Sequence, residues 1–156
     1  MSTYLNKQFA FDLLNKKLQK PQATVKLMVL GNSMHPKIMN NDYVIIEKSS
    51  SYSIGDVLVF LRDNNFLVHR YLKYKDNKFL CKGDNSFMIE DVAFDNIIGK
   101  VKAIIRNDIL IEVESVSADF INLSFEIGLL FESEGYKKEI VRQTENYRQF
   151  YMKYLC

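Results

Sequence analysis

A serine, a histidine and an aspartate fall in three short segments whose residue types suit attack on an amide: GNSMHP at Gly31–Pro36, VHRYL at Val68–Leu72 and KGDNS at Lys82–Ser86. A serine hydroxyl is a poor nucleophile near neutral pH, so it needs a base that takes its proton as the new bond forms. His69 suits that task, because a free imidazole titrates near pH 6.5 and is mostly neutral at pH 7. A carboxylate on the other ring nitrogen would fix the tautomer and stabilise the imidazolium. The tetrahedral intermediate also needs hydrogen-bond donors, and in a tight turn the backbone N–H groups of Asn32 and Ser33 could converge on its oxyanion. Each segment alone is weak. A serine beside a glycine is ordinarily a turn, a histidine in an alternating strand is ordinarily half-buried, and Asp84 after Gly83 is ordinarily a turn residue.

In this order, joined by IGDVLVF (Ile54–Phe60) and IIGKVKAI (Ile97–Ile104), the segments resemble the signal peptidase family, specifically its Ser/His branch of endoplasmic-reticulum type. More distantly they resemble the self-cleaving SOS-repressor peptidases. The likeness runs from about Val29 to Ile105 and rests on five motifs in register: Gly31-Asn32-Ser33-Met34-His35-Pro36, Gly55-Asp56-Val57, Val68-His69-Arg70, Lys82-Gly83-Asp84-Asn85 and the Ile97–Ile104 run. It implies Ser33 as nucleophile, His69 as base where the bacterial housekeeping branch has lysine, and Asp84 as the third member. It also implies an oxyanion hole from Asn32 and Ser33 and substrate contacts from Gly31 and Met34. No metal or cofactor is called for. The sequence departs from the family at Gly31, where bacterial signal peptidases carry a second serine, and in having a short amphipathic segment where the family has a membrane helix. A tail from Ala118 onward has no counterpart.

These features predict a serine endopeptidase that removes a leader or pro-segment from a peptide or protein substrate. A peptide-binding module on the same scaffold is the non-enzyme alternative. A self-cleaving SOS-type peptidase is the third reading; it would use a lysine base and cut an Ala-Gly or Cys-Gly bond, whereas the six glycines here follow Leu, Ile, Lys or Glu. The roughly twenty residues before the β region are also too few for a helix-turn-helix DNA-binding unit. His35, two residues after Ser33, is expected at the rim, and Asp56 is expected to cap a turn.

The elements that must position these residues fall into three stretches: 1–22, 23–115 and 116–156. Leu5, Phe9, Leu13 and Leu18 recur at roughly helical spacing, so a helix is expected over Tyr4–Leu18, closed by Pro21. Its lysines (Lys7, Lys16, Lys17, Lys20) could face solvent or anionic lipid. From Thr24 to Glu114 seven short β-rich runs alternate with turn residues, which predicts a mainly β, antiparallel peptidase domain. RDNN before Phe66 and KDN before Lys78 predict hairpins. After Glu114 the period changes: Phe120, Leu123, Ile127 and Leu130 or Phe131 predict one helix, and Tyr136, Ile140, Tyr147, Tyr151 and Tyr154 a second, broken from the first at Gly135. Its aromatic face would pack on the core, or dock a peptide or a second copy of the chain.

Composition narrows the classes. With 156 residues, 47% hydrophobic and 26% charged, the chain can build a core, and wholesale disorder is excluded. A net charge of +2 with no basic block argues against nucleic acid as a partner. No apolar run approaches the ~20 residues that a membrane helix needs, and the N-terminus lacks a secretory h-region, so a cytoplasmic location is expected, with the N-terminal helix docked on its own domain and peripheral membrane contact through its lysines as the alternative. Cys81 and Cys156 show neither metal-ligand nor disulfide spacing, and Cys81 is expected to be a plain strand thiol.

Overall fold

The computed structural model describes residues 6–156. Helix α1 (Lys7–Leu18) starts where the Asn6 side chain accepts the Gln8 N–H. Tyr4 and Leu5 of the expected helix lie outside the described residues. Eight strands follow: β1 (Thr24–Met28), β2 (Tyr43–Glu47), β3 (Val57–Arg62), β4 (Asn65–Lys75), β5 (Lys78–Lys82), β6 (Ile89–Val92), β7 (Ile97–Arg106) and β8 (Ile109–Glu112). All pair antiparallel in the order β1-β2-β7-β3-β4-β5-β6, with β8 added to β7. The mainly β, antiparallel architecture expected from the sequence is the one observed.

Three hairpins turn on two-residue loops with both residues left-handed: Asp63–Asn64, Asp76–Asn77 and Asn107–Asp108, all with φ between 48° and 63°. Such turns match strand twist, and Asn and Asp tolerate that backbone region better than other non-glycine residues. Residues 57–61 of β3 are all buried because both faces of the strand are covered. Val57, Val59 and Leu61 meet a core shared with Phe11 and Leu18 of α1, Val44 and Ile46 of β2, and Ile98 and Ile104 of β7. Leu58 and Phe60 point the other way, into a cluster with Tyr71, Phe79, Cys81, Val92 and Ile97.

The C-terminal helices build a third cluster. Helix α2 (Ala118–Ser133) is capped by Ser117, whose Oγ accepts the Phe120 N–H, and it ends at Gly135 (φ +62°) and Tyr136 (φ +65°). Gly135 thus breaks the helices as expected. The second arm is not one helix but α3 (Lys138–Arg142), α4 (Glu145–Phe150) and a final wide turn over Tyr151–Leu155. Thr144 interrupts it: its Oγ1 accepts the Tyr147 N–H and starts α4 anew. Phe120, Ile127, Phe131, Val141 and Phe150 enclose Leu72 of β4 and Phe87 of the β5–β6 loop, so this helical unit and the sheet share a core. Strand β6 is the one strand that the hydrophobic runs did not announce. No helix among the described residues is long and apolar enough to cross a membrane.

Candidate active site

Ser33 lies in the loop between β1 and β2, and the base of that loop is cinched shut. Val29 N–H donates to Asp42 O and Asn41 N–H to Val29 O, both at 2.8 Å. The Asp42 carboxylate accepts from the Met39 N–H at 2.7 Å and from Arg106 Nε and Nη2 at 2.9 and 2.7 Å. Burial alone would raise the Asp42 pKa, but the bonds from Arg106 and Met39 hold it below the usual carboxylate range. Inside the loop, Met34 and Ile38 are buried as anchors in the sheet core while Ser33 stays exposed. The loop is therefore rigid where it is rooted and open at the hydroxyl.

His69 comes from β4, paired across from Leu58 and edge-on to Phe60 at 6.1 Å between ring centroids. Only 5% of it is exposed. Its Nε2 lies 3.1 Å from Ser33 Oγ, and its Nδ1 lies 2.9 Å from Glu90 Oε2 on β6. With Glu90 ionised, Nδ1 carries the proton and donates it to the carboxylate, which leaves Nε2 as the acceptor for the serine hydroxyl. Serine, imidazole and carboxylate thus form one continuous relay, the arrangement that activates a hydroxyl for attack.

The carboxylate in that relay is a correction. Asp84, expected against His69, is instead locked in a buried fork: its Oδ1 and Oδ2 accept from Arg70 Nε at 2.9 Å and Nη2 at 2.8 Å. Strand alternation explains the difference, because Arg70 follows His69 on β4 and points to the opposite face, taking Asp84 with it. Arg70 also donates to Gly55 O at 2.9 Å and packs over the Phe120 ring. Asp84 therefore fixes the strand beside the histidine without touching the ring. The signal that could have found Glu90 is a pair of carboxylates set between apolar residues in Met88-Ile89-Glu90-Asp91-Val92, the first of them six positions after Asp84.

Met34 is a second correction. At 2% exposure it is a core residue, and its sulfur receives the Asp84 N–H at 3.4 Å, so it cannot line a substrate cleft. Gly31 is exposed, at φ +97°, where a serine would be strained, and its N–H donates to Asn40 Oδ1 at 2.8 Å. Asn85 braces the Ser33 turn: its N–H donates to Ser33 O at 2.8 Å and its Nδ2 to Asn32 O at 3.2 Å. Among the described residues no hydrogen bond occupies the Asn32 or Ser33 N–H. His35 is half-buried, and the ring on Ser33 is that of His69. Asp56 caps its turn, accepting the Ser53 N–H at 2.9 Å. Cys81 is fully buried, and burial pushes its thiol well above the usual range, so it is no nucleophile.

One more charged group sits under the site. Lys82 is fully buried, and burial lowers its pKa to about 8 even though Asp84 and Glu90 pull it upward. Its Nζ donates to Ser124 Oγ at 2.9 Å and to Gly83 O at 3.1 Å. Among the described residues no group of His, Cys, Asp and Glu could hold a metal ion.

Comparison with known proteins relates the chain to repressors and to a peptidase family. The LexA repressor of Alkaliphilus oremlandii is 39% identical over 88 residues, covering 53% of this chain and 41% of the relative. The LexA repressors of Clostridium acetobutylicum and Geobacillus kaustophilus are each 36% identical over 83 residues, covering 51% of this chain and 40% of the relative. The chain thus spans about two fifths of the length of these curated relatives, and their name corresponds to the more distant of the two resemblances read in the sequence. Residues 2–102, which include Ser33, His69 and Glu90, match the family described as Peptidase S24-like, and the chain belongs to that family.

Proposed function

We propose that this protein is a serine peptidase in which Ser33 attacks the scissile carbonyl, His69 takes the hydroxyl proton and Glu90 holds the imidazole. The observation that carries the reading is the relay from Ser33 Oγ to His69 Nε2 at 3.1 Å and from His69 Nδ1 to Glu90 Oε2 at 2.9 Å. In the acylation step the Ser33 oxygen bonds to the carbonyl carbon and its proton passes to Nε2. As the tetrahedral intermediate collapses, the C–N bond breaks and the imidazolium returns that proton to the leaving amine. Water then repeats the sequence against the acyl-enzyme, with His69 again as base. The Ser33 N–H, with that of Asn32, is the donor set for the oxyanion, in a loop already fixed by Asp42 and Asn85.

The substrate in this reading is a separate peptide carrying a leader or pro-segment, as in the signal peptidases. A histidine base and the intact Lys82-Gly83-Asp84-Asn85 motif support it. Strand β1 ends the sheet order just before the nucleophile loop, so an extended peptide could pair with that edge, with exposed Met28 and Leu30 beside it. The LexA name of the relatives favours a second reading, a repressor-type peptidase that cuts its own backbone. One experiment serves both: incubate the protein and Ser33→Ala with a peptide library and follow library and protein by mass spectrometry. Ser33-dependent cuts in the library support the first reading, and cuts confined to the protein's own chain support the second. No Ser33-dependent cleavage, together with no labelling of Ser33 by a fluorophosphonate, overturns the peptidase assignment.

A further inference from the structure

The catalytic carboxylate and the C-terminal helices meet across one strand. On β6, Glu90 points to His69, while its neighbour Ile89 points the opposite way, against α2. Contact there is very close: a Cβ added to Gly128 would stand 2.4 Å from Ile89 Cγ1 and 2.5 Å from its Cδ1. Glycine in the middle of a helix is unfavourable for the helix itself, so its place in α2 is explained by this approach. One turn earlier on the same face, Ser124 Oγ takes the Lys82 ammonium at 2.9 Å. Lys82 is cross-strand to Ile89 and precedes Gly83, whose own added Cβ would meet Ser33 O at 2.5 Å. Lys82 and Ser124 are both fully buried, so this Ser–Lys pair is sealed from any peptide and acts as a fastening. Between these two contacts, Phe87 is stacked on Tyr147 and packed against Phe131.

We propose that the Ser124–Gly128 face of α2 is a positioning surface for the active site, setting how deep the 82–90 segment lies and hence where Glu90 meets His69 and how Asn85 braces Ser33. It rests on the peptidase reading for its consequence in catalysis, but not for the geometry it controls. The helical tail, expected from the sequence to pack on the core or to dock a peptide or a second copy of the chain, acquires a role in the chemistry. Gly128 and Ser124 are positioning residues, since neither reaches the reacting atoms.

The test uses the full chain with Gly128→Ala, Ser124→Ala and the double variant Gly128→Ala/Ile89→Ala. Two quantities are read in folded protein: the rate at which a fluorophosphonate labels Ser33, and the far-downfield proton resonance of the His69 Nδ1–H held by Glu90, assigned by its loss in Glu90→Gln. Gly128→Ala is expected to slow labelling by about tenfold or more, as misplacement of a catalytic group by a fraction of an ångström does. The resonance should broaden or move. Trimming Ile89 in the double variant should restore both. Ser124→Ala should slow labelling without adding bulk, and it decides alone if Gly128→Ala does not fold. Labelling within twofold of wild type and an unchanged resonance in the folded variants would overturn the proposal, as would a wild type with no such resonance. A wild-type protein that shows the resonance but is never labelled refutes the peptidase reading instead, and the resonance in the variants still decides this one.

Discussion

Replacing Lys82 by methionine should remove a specific pH dependence of stability. Lys82 is fully buried, and burial lowers its pKa to about 8 against 10.5 for an ordinary lysine, although Asp84 and Glu90 pull it upward. Between those values the unfolded chain holds a proton that the folded chain has released, so stability rises with pH across that window. Below about pH 8 both states are protonated and the folded state carries the full penalty. At ~1.4 kcal/mol per pH unit, the gap from about 8 to 10.5 corresponds to about 3 kcal/mol. Cys81 acts in the opposite sense, because burial raises its pKa and the folded state keeps a proton that the unfolded thiol loses. That contribution is common to wild type and Lys82→Met and cancels in their difference. The assay is urea unfolding of both proteins from pH 7 to 10.5. The stability of wild type relative to Lys82→Met should climb by roughly 2 to 3 kcal/mol over that range. Parallel curves for the two proteins would refute a buried, charged Lys82.

Ser33→Ala should abolish fluorophosphonate labelling and peptide cleavage while leaving the melting curve close to that of wild type, since Ser33 is exposed and its loop is rooted by Met34, Ile38 and Asp42. Glu90→Gln and Asp84→Asn should separate cleanly: the first lowers kcat/KM by about a hundredfold or more with the fold intact, because the imidazole loses its anionic partner. The second leaves Arg70 buried without its carboxylate and should cost about 3 to 5 kcal/mol in urea unfolding. Equal losses of activity with equal stability in the two variants would contradict the division of labour between the carboxylates.

The fold was legible where local chemistry decides it. Paired Asn and Asp residues at 63–64 and 76–77 specify tight left-handed turns, and the alternation of β4 and β5 around them leaves little choice of register. The tail was legible only in part. Aromatic spacing from Tyr136 to Tyr154 suits one helix, yet Thr144 finds its better hydrogen bond by capping, which restarts the helix at α4. Strand β6 was hidden because it is four residues long, carries two carboxylates and takes its place by pairing with β5, a non-local decision that no window of sequence reports.

The same cause explains why the sequence pointed to Ser33 and His69 but not to Glu90. Ser33 and His69 stand in segments whose conformation is set nearby, a glycine turn and a strand that leads out of a hairpin. The carboxylate is set by which face of β6 turns toward β4, and that depends on Ile89 finding Gly128 and on Phe87 finding Tyr147, contacts with residues roughly forty to sixty positions later in the chain. Asp84 looked the better candidate because it sits in a motif, yet the charge that satisfies it, Arg70, is adjacent to the histidine and on the opposite face of the same strand. Neighbouring residues of one strand therefore take two different carboxylates from two sides of one loop. The loop must be pinned on both sides for the pair of assignments to hold. The sheet pins it at Asp84, and the helical tail pins it at Phe87 and Ile89, which is why a tail absent from the recognised motifs still bears on where the Glu90 carboxylate lies.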